Sequence, residues 1–208
     1  LGGELKVFYE PVNGHGLPHD PFKAIVAPRP IGWISTISRQ GALNLAPYSF
    51  FNAISSRPPL VLFSSDGEKD SSTFARETGE FVVNLVGRAL VDKMNASAID
   101  APRGVSEFGY AELTPAPSRL IKPPRVSEAP AALECKVTEI FRPKSIDGSE
   151  SENVVVVGQV VGVHIDDAML TEGLFDVVKA GNVSRLGYMD YAAISETFAM
   201  RRPRWKAD

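Results

Sequence analysis

The feature that most constrains this chain is a succession of short extended segments that never settles into regular strand-helix alternation. After Arg29, the residues Ile31, Trp33, Ser35 and Ile37 share one face of a period-two pattern, and Gly32, Ile34, Thr36 and Ser38 share the other. The first set carries the larger groups and is expected to face a core. Arg39, Gln40 and Gly41 supply turn chemistry. Residues 43–51 then restart as an extended segment interrupted by Pro47, which suits an edge or a bulge because proline cannot donate to a ladder. Pro58 and Pro59 open a short apolar strand that runs out into Ser64, Ser65, Asp66 and Gly67. Residues 69–78 read as a helix with Asp70 or Ser71 as its N-cap and Gly79 closing it, followed by a strand at 81–85 and a short helical stretch at 89–95.

Proline and glycine are dense between residues 100 and 130, among them Pro102, Gly104, Pro115, Pro123 and Pro124, and regular structure cannot persist there. A long excursion packed on the body is expected. Two long extended segments, 132–141 and 154–165, flank the polar turn 145–149 and read as a hairpin. Residues 1–20 lack a sustained period and read as an arm over the body or a neighbouring subunit, leaving 21–208 as one domain. The tail has a turn-rich stretch at 181–191, a basic end, and no periodic helix. Many strands with only two short helices point to a mainly β fold, a closed or nearly closed antiparallel barrel. No Gly-x-Gly-x-x-Gly follows a strand, so a Rossmann dinucleotide fold is not supported.

Composition narrows the function classes. With 44% hydrophobic and 23% charged residues the chain lies in the globular range. Its 22 basic residues stand against 25 acidic ones, so no broad positive field exists to collect nucleic acid. No apolar run approaches the roughly 18 residues of a membrane span, and the N-terminus lacks a basic-then-apolar signal pattern. The single cysteine, Cys135, reads as a strand thiol and points to a reducing, cytoplasmic setting. His15, His19 and His164 are scattered and give no metal-ligand spacing, so no metal is expected.

Two constellations hold candidate chemistry. Hydroxyls and Lys69 concentrate between a strand end and a helix start at 64–73, where Ser64, Ser65, Lys69, Asp70 and Ser71 suit a phosphate: helix N-terminal amides, hydroxyl donors and a point charge. The same stretch also reads as a plain helix cap beside a solvated lysine, and Asp66, Glu68 and Asp70 oppose an anion unless they point away. The second joins Trp33, Ser35 and Thr36 to Pro47, Tyr48, Ser49 and Asn52, mixing aromatic walls with small polar groups as a flat heteroaromatic ring requires. It equally reads as ordinary core.

The runs RPIGWIST (29–36), NLAPYSFFN (44–52) and PPLVLFSS (58–65) resemble the flavin reductase-like, FMN-binding split-barrel family, which includes flavoredoxin. KDS (69–71), GEFVVN (79–84), LEC (133–135), VGQV (157–160) and RLGYMDY (185–191) resemble further motifs of that family in the same order. The resemblance implies a Greek-key split barrel, a homodimer, and FMN near the subunit interface. It sets Ser35, Thr36, Pro47, Tyr48, Ser49 and Asn52 around the isoalloxazine and ribityl chain, with Trp33 as a wall. Ser64, Ser65, Lys69, Asp70 and Ser71 fall near the phosphate, and Arg185 and Tyr191 close the pocket. Arg29 alone reads as a surface cation.

One departure bears on the electron donor. Family members that pair with monooxygenases carry a histidine just before the Gly-x-Val strand, where this chain has Glu152 and Asn153. His164 reads as a strand residue with a satisfied ring. Glu134, Glu139, Asp166 and Asp167 read as solvated strand-end charge, and no residue is assigned a catalytic role, which is consistent with a flavin that carries the chemistry itself. Three functions remain open from the sequence. One is an oxidoreductase passing electrons from NADH or NADPH through FMN to a flavin, a protein partner or a small acceptor. Another is a flavoredoxin-like electron carrier that oxidises no nicotinamide, and the third is a barrel used for binding or for another ligand such as haem.

Overall fold

Residues 7–102 and 105–205 are described by the structure, a computed structural model; residues 1–6 of the expected arm and Arg103, Gly104 and residues 206–208 of the expected domain lie outside them. The described part of the arm carries one 3-10 turn at Pro11–Asn13 and leads to the short helix α1 (Phe22–Ile25). The two-residue strand β1 (Arg29–Pro30) precedes β2 (Gly32–Ile37), β3 (Leu43–Tyr48), β4 (Phe51–Ser56) and β5 (Pro59–Ser65). Then come α2 (Asp70–Thr78), β6 (Glu80–Asn84) and, after a 3-10 turn at Arg88–Leu90, α3 (Val91–Ala96). The Pro-rich excursion holds α4 (Glu107–Tyr110) and the paired dipeptides β7 (Pro115–Ala116) and β8 (Arg125–Val126). The long hairpin is β9 (Ala131–Phe141) and β10 (Val154–Ile165). The chain ends through β11 (Leu170–Thr171), β12 (Leu174–Phe175), α5 (Val177–Ala180), β13 (Val183–Arg185) and β14 (Tyr191–Ala193).

Seven strands form one antiparallel sheet in the order β3-β2-β6-β9-β10-β5-β4, curled into a Greek-key split barrel, and β1-β13-β14 form a small second sheet. Residues 43–51 are two strands rather than the one expected. They part at Ser49 and Phe50, and β3 and β4 go to opposite edges of the sheet. Pro47 sits on the edge strand β3 opposite Trp33, where its missing N–H costs no ladder bond.

Both faces of β2 are buried, where one was expected to carry the core. Trp33 packs with Leu45, Met94, Phe108 and Val126, while Ile34 packs with Tyr48, Phe63, Phe81 and Cys135. The reason is the excursion: α3, α4 and β8 cover the face that would otherwise meet water. Phe81 lies so close over Gly158 that a Cβ there would stand 2.4 Å from its ring, which accounts for glycine at that point of β10. Helix α2 begins one residue earlier than a cap at Asp70 or Ser71 allows. Lys69 is the N-cap, and the Ser72 hydroxyl accepts from its amide at 3.1 Å while donating to its carbonyl at 3.0 Å. The turn-rich stretch 181–191 contributes β13 and one residue of β14, held by the ladder to β1. Among the described residues no helix is long and apolar enough to cross a membrane.

Candidate functional site

The strand end of β5, the start of α2 and the edge strand β3 bring a set of hydroxyls and one amide together. Asn44 Nδ2 donates to Ser71 Oγ at 2.8 Å and to Thr36 Oγ1 at 3.1 Å, and all three side chains belong to buried residues. The Tyr48 phenol lies beside the Ser71 and Ser65 hydroxyls; burial raises its pKa above the ordinary phenol value, against the pull of those two hydroxyls. Ser65 Oγ is buried and makes no well-aligned hydrogen bond. Such an atom costs free energy unless something fills its valence.

A cavity of about 290 Å³ opens over this cluster, lined by Asn44, Pro47, Tyr48, Lys69, Asp70 and Glu107 among others. Glu107 is a site residue the sequence did not indicate. It is buried, and its Oε2 accepts from Leu45 N at 3.0 Å; burial first and then Asp70 push its carboxyl above the usual range, against that hydrogen bond. Its tether is a backbone amide far away in sequence, which no local pattern signals. Asn44 lay inside a recognisable motif and needed only the β2-β3 register, which sets it opposite Thr36.

The other residues singled out from the sequence divide into separate environments. Trp33 is fully buried and donates from Nε1 to Ser97 Oγ at 2.9 Å. Ser35 is fully buried too, donating to Pro124 O at 2.6 Å and accepting from Asn84 Nδ2 at 3.1 Å. Both therefore join β2 to its cover, and neither lines the cavity at Lys69. Ser64 Oγ accepts from Asn153 Nδ2 at 3.2 Å, so Asn153, just ahead of β10, is tied to the strand end of β5.

Ser49 and Asn52 line a second cavity of about 390 Å³ together with Lys23, Arg29, Phe50 and Leu62. Arg185 and Tyr191 pair across β13-β14, with the guanidinium bonded to the phenol oxygen and to Tyr188 O, and stacked 4.4 Å from the Tyr191 ring centre. Arg29, expected on the surface, is buried. Its guanidinium donates to the carbonyls of Lys23, Val26 at 2.8 Å and Leu186 at 2.8 Å, clasping α1 and the loop after β13. Burial and the nearby Arg185 lower its pKa.

Glu134 also differs from expectation. It is fully buried rather than solvated, and it accepts from Arg119 N and Leu120 N, each at 2.7 Å, and lies 2.5 Å from His164 Nε2. The His164 ring thus has a partner. Cys135 is a buried free thiol, its pKa driven far up by burial. Among the described residues no group of three or more His, Cys, Asp or Glu side chains is arranged to hold a metal ion.

Comparison with known proteins agrees with this architecture. The family model described as flavin reductase like domain matches residues 26–185. An uncharacterized protein of Halalkalibacterium halodurans is 37% identical over 183 residues, covering 86% of this chain and 87% of that protein. The crystal structure of nitrilotriacetate monooxygenase component B from Bacillus cereus superposes with a TM-score of 0.82 at 29% identity, covering 96% of this chain and 98% of that one. For the 2-nitrobenzoate 2-nitroreductase of Pseudomonas fluorescens the TM-score is 0.78 at 28% identity, with 90% and 91% of the two chains covered. On the family match, the relative's identity and the split barrel itself, this chain belongs to the flavin reductase like domain family.

Proposed function

We propose that the protein is an FMN-binding oxidoreductase of the flavin reductase type, acting as a homodimer with FMN near the subunit interface. The observation that carries this reading is the cavity walled by Lys69, Asn44 and Tyr48, the Tyr48 phenol lying beside the buried Ser65 and Ser71 hydroxyls. A phosphate in that cavity would accept from the Tyr48 phenol, and the Lys69 ammonium would neutralise part of its charge. Asp70, Asp100 and Glu107 also border the cavity. Burial raises the Glu107 carboxyl, which favours its neutral form. The donor set therefore fits the phosphate end of FMN.

In this reading Pro47, Tyr48 and Ser49 run along the ribityl chain and ring, with Asn52, Thr36 and Ser35 at greater remove, Trp33 behind β2, Ser64 beside the phosphate, and Arg185 and Tyr191 closing the far end. The flavin supplies hydride and single-electron chemistry when bound. The chain's own residues bind the phosphate, orient the ring against the edge strand, and exclude water from it. NADH or NADPH is the proposed donor, and a flavin, a redox partner protein or a small acceptor takes the electrons. The names of the monooxygenase component and the nitroreductase support redox chemistry on this scaffold.

A second reading is a flavoredoxin-like electron carrier without nicotinamide oxidation of its own, since Glu152 and Asn153, the latter bonded to Ser64, stand where the family resemblance leads one to expect a histidine in monooxygenase-paired members. Two measurements separate the possibilities. Purified protein that is colourless and leaves the fluorescence of micromolar FMN unquenched would remove the flavin reading. If FMN binds, anaerobic mixing with NADH and with NADPH decides the rest: bleaching of the visible flavin band means reductase, and unchanged absorbance with both over minutes means carrier.

A further inference from the structure

The cavity of about 390 Å³ beside Ser49 and Asn52 has a charge character its neighbour lacks. Its lining includes Lys23 and Arg29 and no acidic residue. Both cations flank one aromatic ring: Lys23 Nζ and Arg29 Cζ each lie 6.0 Å from the centre of Phe50. A third cation stands behind them, because Arg185 is the ladder partner of Arg29 across β1-β13. Among the described residues no carboxylate forms a salt bridge with any of the three. The protein as a whole carries a net charge of −3, so a pocket lined by two cations and no acid, with Arg185 behind Arg29, is a local arrangement and not an overall bias.

The cations differ in availability. Arg29 spends its terminal nitrogens on the carbonyls of Lys23, Val26 and Leu186, and Arg185 is committed to Tyr191 and Tyr188. Lys23 is exposed, and among the described residues its ammonium makes only the contact with Phe50. It is therefore the group free to bond an anion, with Arg29 and Arg185 adding field. Phe22, Phe50, Phe51 and Leu62 supply apolar wall around it. A cavity near the low end of the roughly 300–1,000 Å³ range for small-molecule sites suits one substituted ring, not two joined nucleotides.

We propose that this cavity binds a single-ring aromatic acid in its carboxylate form, the ring against Phe50, Phe51 and Leu62 and the carboxylate on Lys23. Ser49 of this cavity follows Tyr48 of the other directly along the chain, which would bring the acid beside the flavin. Its role as substrate rests on the flavin reading above, whereas its binding rests on the cations alone.

Titration calorimetry with benzoate and its neutral analogue benzamide, on both flavin-free and FMN-loaded protein, tests this. Benzoate is expected to bind on the order of tenfold more tightly than benzamide, the difference that a charge-assisted hydrogen bond makes over a neutral one. Lys23→Gln should erase that preference and Lys23→Arg should keep it. Lys23 is exposed, so neither substitution disturbs the core. Equal affinity for the two ligands, or a preference that survives Lys23→Gln, overturns the proposal. FMN quenching measured in parallel keeps the two claims apart: FMN bound without a benzoate preference sinks the acid site alone, and a Lys23-dependent benzoate preference in protein that ignores FMN upholds the acid site while sinking the flavin.

Discussion

Nε2 of His164 stands 2.5 Å from Oε1 of Glu134, a carboxylate that solvent does not reach, near the end of the β9-β10 ladder where β9 begins. The same carboxylate holds the amides of Arg119 and Leu120, so one side chain ties the Pro-rich excursion to the barrel. Burial pushes the Glu134 carboxyl up, but the Arg119 amide, His164 and the Leu120 amide together outweigh it, and its pKa falls below the ordinary value. A depressed folded pKa means a stabilising contribution fully present above the unfolded value of about 4.3 and lost as pH drops through the lower folded value. Glu134→Gln should cost about 2–3 kcal/mol at neutral pH, because a charged acceptor is lost and the amide NH2 meets one of the two backbone donors. Urea unfolding at pH 7 and at progressively acidic pH should show the gap to wild type closing as pH falls below 4.3. A gap that stays constant would mean that the Glu134 charge is not what stabilises the excursion.

Gly158 faces a simpler constraint. A methyl group there would meet Phe81 Cε1 at 2.4 Å and Cys135 Cβ at 3.2 Å, and the Phe81 ring is itself wedged against Phe63. Nothing nearby can yield cheaply, so Gly158→Ala should destabilise by about 1–3 kcal/mol through overpacking. Thermal melts provide the check. A variant that melts with the wild type would show that the Phe81 ring moves more freely than its packing implies.

How far the sequence could be read follows from where each partner lies along the chain. The β2-β3 hairpin and the β9-β10 hairpin were legible because their pairings are local and their turns carry Gly41 and Gly148 at positive φ. The burial of Trp33 on its particular face was not, since its cover comes from Met94, Phe108 and Val126, more than fifty residues downstream. Arg29 and Glu134 were misjudged for the same reason: the groups that satisfy them are backbone carbonyls and amides of other segments, to which residue-type statistics are blind. Of the candidate site, the hydroxyl cluster was legible as a motif. Its neighbour Glu107 was not, because its place over β3 depends on how the excursion folds back.

Glu107 gives a pH dependence of opposite sign to that of Glu134. Its carboxyl is raised by burial and by Asp70, with the Leu45 amide opposing, so the folded state holds its proton more tightly than the unfolded chain does. Stability therefore declines as pH rises from the ordinary carboxylate value through the raised folded value, and below that window the penalty is absent. Glu107→Gln keeps an oxygen to accept from Leu45 N and removes the titration. It should match or exceed wild-type stability at neutral pH, and its melting temperature should lack that decline between mildly acidic and neutral pH. A variant that is less stable than wild type throughout the window would show that the ionised form is the one the fold prefers.

Lys69 offers the sharpest discrimination of where a phosphate sits. It is exposed at the head of α2 and lines the cavity of about 290 Å³ together with Tyr48. FMN and riboflavin share a ring and a ribityl chain and differ in the phosphate, so a residue that acts on the phosphate must affect one and spare the other. Lys69→Ala is expected to weaken FMN binding about tenfold, the lower part of the range for a charge-assisted bond because an exposed ammonium is partly screened, while riboflavin changes little. The difference should shrink as salt is raised, since screening weakens the wild-type bond. Flavin fluorescence quenching measures both ligands under the same conditions. Equal losses for FMN and riboflavin would mean that Lys69 acts on the ring or on the fold, and the phosphate would then have to be sought away from Ser65 and Ser71.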